Sequence, residues 1–448
     1  MAEASATTTA RPAGAAGPRT LALHARAAAV FPDGRLTAAD TRPHPVVMAR
    51  GAGARIFDAD GREYLDFHLS SGALVLGHGH PAVQAAVAAQ VADGFNFGAM
   101  NRPAIELAER ICAAVPSVER VKFTVSGTEA TLHAIRMARA LTGRDLILRF
   151  EGGYHGHLDM VSLSNKLAGL GPADADTPPG LRPIPDCAGI PEAILDLCLV
   201  APFNDAERVA EIFASHGDRI AGVIVEPLQR FIEPLPGFLQ ALREETRRAG
   251  AVLIFDEIVT GFRLAPGGAQ QLYGVAPDLT VMGKIIGAGF PNGAIGGPAA
   301  IMEALFAPGA KRGTYLAGTF AGHPVAAAGG AATLAVLAEP GAHARLTALG
   351  DRLRRGVAAA LAEAGVAGQV LCPGAMFHIA LTDRPVTDAR SALREDRAGR
   401  KRLWDALLAR GIHITGGRGF VSLQHDEADI DAFVERFADA LQELSAQA

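Results

Sequence analysis

Hydrophobic and polar positions follow two different periods along the chain, and the changes of period mark the elements. LALHARAAAV at 21–30 reads as a short helix, and a proline-punctuated passage runs on to about residue 50. GARIFDADGREYLDF at 53–67 has two alternating apolar stretches around Asp-Gly and predicts a hairpin. Residues 80–94 and 102–116 carry apolar side chains at helical spacing. From about residue 120, short apolar runs take turns with helical stretches. VKFTVSG leads into TEATLHAIRMARALTG; DLILRF follows at 145–150, RIAGVIVEP at 219–227, AVLIFDE at 251–257 and LTVMG at 279–283. Such runs between helices predict an α/β fold, a mostly parallel sheet covered on both faces. Beyond about residue 330 come long helices, the strand candidates AMFHIAL and FVSLQH, and a last helix, DIDAFVERFADALQEL. That part predicts a smaller α+β domain.

Length and charge narrow the classes. At 448 residues the chain is long for one core. Net charge is −5 with acids and bases interspersed, so there is no basic footprint for nucleic acid. Small phosphate-bearing ligands stay open, because backbone N–H groups bind phosphate without net positive charge. Cys112, Cys187, Cys198 and Cys372 form no CxxC pair, which argues against a zinc site or disulfide framework and for a reducing, cytoplasmic setting. No apolar run reaches membrane-spanning length. The opening MAEASATTTARPAGAAGP lacks the order of a signal peptide and reads as a disordered tail over 1–18.

In open parallel sheets, ligands sit beyond the carboxyl ends of the strands. The residues there are Ser126-Gly127-Thr128, Glu151-Gly152-Gly153-Tyr154-His155, Glu226, Asp256-Glu257 and Lys284. Lys284 ends an apolar run and is followed by glycines at 287, 289, 293, 296 and 297, which let a planar ligand approach the backbone. It reads as a solvated loop lysine, a phosphate holder or a Schiff-base former. Asp256 closes a run too apolar for a surface strand. Its carboxylate needs a partner, either a structural cation or a pyridinium nitrogen. Ser126, with Glu129 three residues on, fits a capping box or the start of a dianion cradle. Tyr154 is a stacking ring or a core aromatic. The pairs His78/His80 and His155/His157 lack a third ligand at standard spacing, so no metal is expected.

The segments DADGREYLDF, LVLGHGHP, SGTEATLHAIRMARALTGR, GGYHGHLD, VIVEP, FDEIVTGFR, VMGKIIGAGFPNGAIGG and AGTFAGHPVAAAGG run in order from about 45 to 340. Together they resemble the class III pyridoxal-phosphate aminotransferases of fold type I, in the branch of glutamate-1-semialdehyde 2,1-aminomutase and its transaminase relatives. The resemblance implies a large cofactor-binding domain over 76–330, and a small domain built from 19–75 and 331–448. It implies pyridoxal 5'-phosphate as cofactor, with Lys284 forming the Schiff base and Asp256 partnering the ring nitrogen. Ile258 would pack near the ring, Tyr154 would stack on it, and Ser126, Gly127 and Thr128 would cradle the phosphate. Thr319 matches a phosphate ligand supplied by a neighbouring subunit, which implies a homodimer with sites at the interface. Glu226 matches a glutamate near the site.

Departures from the pattern collect around the substrate. Where the aminomutase typically has E-A-G-F-T-S, this chain has Gly417-Arg418-Gly419-Phe420-Val421-Ser422, and its S-P-V-R stretch corresponds to FPDGRLTAADTRP at 31–43. The RGF at 418–420 is similar to β-amino acid aminotransferases, where an arginine grips a carboxylate through two hydrogen bonds. Arg418 and Arg35 are therefore candidate substrate residues. The expected reaction is transfer of an amino group between an amino acid, a β-amino acid or related amine, and an oxo acid, through pyridoxamine phosphate. The alternatives are an aminomutase acting within one substrate and a cofactor-binding protein without turnover.

Overall fold

The computed structural model describes residues 16–36, 45–167, 169–177 and 179–446. Residues 1–15 of the expected tail lie outside the described residues. The first helix starts inside that tail, at Pro18, and runs to Val30. The Asp60 carboxylate accepts from the backbone N–H groups of Arg19 and Thr20, at 2.9 and 3.0 Å.

The central sheet has seven strands: β4 (Arg120–Thr124), β5 (Leu146–Phe150), β6 (Cys198–Ala201), β7 (Ile220–Val225), β8 (Val252–Asp256), β9 (Leu279–Gly283) and β10 (Gly293–Gly297), in the order β4-β10-β9-β8-β7-β5-β6. From β9 through β8, β7 and β5 to β6 every pairing is parallel, and β10 runs antiparallel to both β9 and β4. β5, β7, β8 and β9 are buried along their whole length, as strands covered on both faces must be. β6 and β10 are strands that the sequence reading does not predict, and β10 carries GAIGG. Its glycines serve contact: a Cβ on Gly296 would lie 2.5 Å from Val118 Cγ1, and one on Gly297 2.8 Å from the Asp278 carbonyl.

Two smaller sheets complete the chain. β1 (Met48–Ala52), β2 (Arg55–Asp58) and β3 (Glu63–Asp66) form an antiparallel meander whose β2–β3 pair is the expected hairpin, and β13 (Ile412–His413) adds to β3 in parallel. β11 (Gln369–Leu371), β12 (Met376–Ala380) and β14 (Arg418–Phe420) form the third sheet. The strand expected at 420–425 is therefore displaced: only Phe420 belongs to one. Beyond it the Ser422 N–H donates to the His425 ring, 3.1 Å away, and the chain turns into the helix Glu427–Ala446. Phe67, beside β3, packs edge-on to Phe377 and Phe433 at 5.8 and 4.7 Å. The buried Asp66 carboxylate is held by His413 and His78, at 2.8 and 2.7 Å. Early and late chain thus share one core.

The helix Pro324–Leu337 carries a run of alanine and glycine, and its small face lies on the turn Lys284–Gly287 that follows β9. A Cβ on Gly330 would collide with the Ile286 carbonyl, a backbone atom that cannot swing aside. We expect Gly330→Ala to cost about 1–3 kcal/mol through overpacking. Urea denaturation would show it, together with weaker cofactor retention, since the displaced turn carries Lys284.

Candidate active site

Parallel pairing brings the carboxyl ends of β7, β8 and β9 side by side, and each end delivers one functional side chain. Glu226 follows β7, Asp256 ends β8 and Lys284 follows β9. Lys284 sits at φ +47, a left-handed conformation uncommon for a residue with a side chain. Burial pushes its ammonium down to about 8, against the pull of Asp256 and with a further push from Arg230. Asp256 is buried, and its Oδ2 lies 2.8 Å from His155 Nδ1 while Oδ1 accepts from the Ile258 N–H at 3.1 Å. Glu257, one residue on, takes a different path. Its carboxylate accepts from the Thr260 hydroxyl at 2.6 Å and from the Ala269 and Gln270 N–H groups at 2.7 and 2.8 Å. It is a structural anchor.

Glu226 is buried too, accepts from the Tyr154 N–H at 2.9 Å, and is pushed up by burial, with Arg230 and His155 opposing. The Tyr154 ring is half-exposed and has the Arg230 guanidinium 5.1 Å from its centre. The loop behind it is pinned by Glu151, which makes a two-pronged ion pair with Arg390 at 2.7 and 2.9 Å.

The helix Gly127–Thr142 starts at this edge of the sheet. The Ser126 hydroxyl accepts from the Glu129 N–H at 3.2 Å, and Glu129 reaches back to the Val125 N–H at 2.8 Å. Ser126 is thus committed to capping. The N–H groups of Gly127 and Thr128, in the first turn, have no partner within the helix and point out of its positive end. Gly127 admits no Cβ, because Ile258 fills that space, so Ile258 locks the helix start against β8. A Cβ on Gly156 would lie 2.5 Å from Thr128 Oγ1.

Arg418, half-buried on β14, lies with its guanidinium 5.6 Å from the Phe231 ring centre. Arg230, more than burial, pushes it down to about 9. Two expected residues stand apart within one protomer. Thr319 is exposed, and its carbonyl accepts from Asn96 at 3.3 Å; Arg35 is exposed, with its N–H on Asp33 at 3.1 Å. No contact of the described residues joins either to the Lys284 group. His78 is engaged by Asp66 and His155 by Asp256. Among the described residues no three His, Cys, Asp or Glu side chains gather as metal ligands.

The sequence reading missed Arg230 and the role of His155. Arg230 stands four residues past Glu226, inside the same strand-end loop, which was its one available signal. His155 was visible among the residues past β5 and as half of a His-x-His pair, but its tie to Asp256 was not.

The family model for class III aminotransferases matches residues 36–441. The chain belongs to that family. This class III aminotransferase is 44% identical over 409 residues to a glutamate-1-semialdehyde 2,1-aminomutase of Thermomicrobium roseum, covering 90% of this chain and 92% of the relative. Its structure superposes with a TM-score of 0.90 on an omega-transaminase from Sphaerobacter thermophilus, at 41% identity over 96% of this chain and 98% of the other. It superposes with a TM-score of 0.85 on a beta-phenylalanine aminotransferase from Variovorax paradoxus, at 34% identity over 96% and 95% of the two chains. The fold is fold type I, and the protein is a pyridoxal-phosphate-dependent enzyme, a transaminase or aminomutase. The donor set fits that cofactor: an amine of lowered pKa, a buried carboxylate with a histidine behind it, and a helix start with free N–H groups.

With the Lys284 ammonium pushed down to about 8 by burial, the nucleophilic free amine becomes a shrinking fraction below that pH. Uptake of pyridoxal phosphate by the apo-protein should accelerate about tenfold per pH unit below 8 and level off above it, as stopped-flow absorbance would show.

Proposed function

We propose that this enzyme is an aminotransferase that moves an amino group between a carboxylate-bearing amino compound and an oxo acid. The observation that carries the reading is Arg418 on β14, next to Gly417, where the aminomutase pattern has its glutamate: a half-buried guanidinium with no acid paired to it among the described residues. A substrate carboxylate is the ligand such a group lacks. The omega-transaminase and beta-phenylalanine aminotransferase likenesses support the same side. The second reading, an aminomutase acting within one substrate, is favoured by the curated relatives.

When bound, pyridoxal phosphate supplies an aldehyde that takes up amino groups and a ring that accepts the electron pair released by proton removal. Gly127 and Thr128 would hold the phosphate by their N–H groups, with Ser126 fixing the turn. Ile258 and Tyr154 would flank the ring. Asp256, oriented by His155, would keep a proton on the ring nitrogen. The Lys284 amine would hold the aldehyde and, as general base, would take a proton from the substrate carbon and return it. Glu226 fixes the Tyr154 backbone and offsets the charge of Arg230.

Arg35 is a candidate second ligand for a substrate carboxylate, and Thr319 fits this scheme in a homodimer, serving the site of the neighbouring subunit. The surface around Thr319 supports it: Met100 is 86% and Tyr315 80% exposed, with Phe95, Phe97 and Phe320 also exposed. That is a larger apolar display than a lone protomer usually carries. The pairing of β13 with β3 supports a division into a large domain over 76–330 and a small one from 19–75 and 331–448. The four unpaired cysteines support a reducing, cytoplasmic setting. No single described helix is long and apolar enough to cross a membrane.

Lys284→Ala should lower transamination by about a thousandfold or more. With wild-type enzyme, carbonyl product should accumulate from an amino acid only when an oxo acid is added. Conversion of one substrate into its amino-shifted isomer without acceptor would establish the aminomutase instead.

A further inference from the structure

Arg230 occupies a turn position that an arginine should avoid. Gln229 and Ile232 face each other across a tight turn, with reciprocal backbone hydrogen bonds of 3.0 and 2.8 Å. Of the two central residues only the first, Arg230, has positive φ, +58. That pattern belongs to the turn type in which glycine holds the first central place. A backbone strain of this kind persists where the surroundings impose it, and it collects at ligand sites. The neighbouring contacts show what is held. Arg230 lies over the Tyr154 ring at 5.1 Å, while the next residue, Phe231, offers its ring to Arg418 at 5.6 Å. One turn therefore positions both guanidinium groups. Neither has a hydrogen-bonded or ion-paired side-chain partner among the described residues. The two acids that act on Arg418 are engaged elsewhere, Glu226 by the Tyr154 N–H at 2.9 Å and Glu395 by His378 at 3.2 Å and by Arg400. Arg230, more than burial, lowers the affinity of Arg418 for its proton; an anion between them would relieve that repulsion.

We infer that Arg230 is a specificity-determining residue whose guanidinium, with that of Arg418, forms a two-sided clamp for one substrate carboxylate beside the Tyr154 ring. The inference rests on the aminotransferase reading for the substrate that carries the carboxylate, and it narrows that substrate to amino and oxo acids over simple amines. A carboxylate offers four lone-pair sites on two oxygens, enough for a guanidinium on each side.

The test uses the cofactor-loaded enzyme and Arg230→Gly, since glycine suits φ +58 and removes only the side chain. The first readout is a titration of the cofactor's visible absorption band with butanoate, an unreactive carboxylate. The variant should bind butanoate about tenfold or more weakly, the worth of one charge-assisted hydrogen bond, and Arg230→Lys should recover part of the loss. The second readout is the KM for 3-aminobutanoate divided by that for 2-butylamine, which lacks the carboxylate. That ratio should rise about tenfold in Arg230→Gly. An unchanged butanoate affinity, or equal losses for both donors, overturns the clamp. The titration needs no turnover, so it still judges Arg230 if the enzyme transfers no amino group between substrates and the aminotransferase reading fails.

Discussion

Three parallel strand ends in adjacent positions are the constraint on which the site depends. A parallel sheet delivers successive carboxyl ends to one edge, about 5 Å apart, so residues far apart in sequence become neighbours by topology. Glu226, Asp256 and Lys284 are such residues, one from each of β7, β8 and β9. Because the same strands are buried on both faces, their ends are dry. There a lysine becomes a usable base near pH 8 and a carboxylate keeps its charge only with a partner. The site's chemistry follows from the sheet's burial as much as from the residues.

The supporting shell shows how that edge is kept rigid. Asp256 is held from one side by His155 and from its own chain by the Ile258 N–H, and Ile258 fills the space that a Gly127 side chain would need. The helix start and the carboxylate are therefore one unit: moving either moves the other. The loop carrying Tyr154 and His155 is fastened by Glu226 and by the Glu151–Arg390 pair. That buried pair joins the end of β5 to residues just past β12. Removing one partner would leave a buried charge unpaired, a loss of about 3–5 kcal/mol, so the tie between early and late chain is also a tie to the cofactor loop.

Much of this was legible before any coordinates. Lys284, Asp256 and Glu226 each end or follow an apolar run, and the rule that ligands gather beyond strand ends is enough to pick them out. The hairpin at 53–67 announced itself by alternation around Asp-Gly. What stayed hidden has physical causes. β10, with three glycines in GAIGG, carries no periodicity to read, because its sequence answers to the closeness of its neighbours. The strand expected at 420–425 failed because Val421 and Leu423 point to the core from a turn, where alternation mimics a strand. The engagement of Asp256 by His155 spans 101 positions, and no local pattern encodes it. Arg230 was hidden because a positive φ leaves no trace in sequence unless glycine occupies it.

The contest between transaminase and aminomutase turns on charge at one place. The aminomutase pattern has its glutamate at position 417 and an alanine at 418, so it brings an acid and no guanidinium to this corner. In this chain Gly417 removes the acid and Arg418 adds a second cation to a corner whose acids are already engaged, Glu395 by His378 and Arg400, and Glu226 by the Tyr154 backbone. Glu226 offsets part of that charge, and two guanidinium groups without an ion-paired partner of their own are satisfied by an anionic substrate group. An aminomutase must keep one substrate and its isomer in place through both halves of the reaction, whereas a transaminase must release a first product and admit a second reactant. A single carboxylate clamp at the mouth suits the latter, because amino donor and oxo acceptor can present the same group to it in turn.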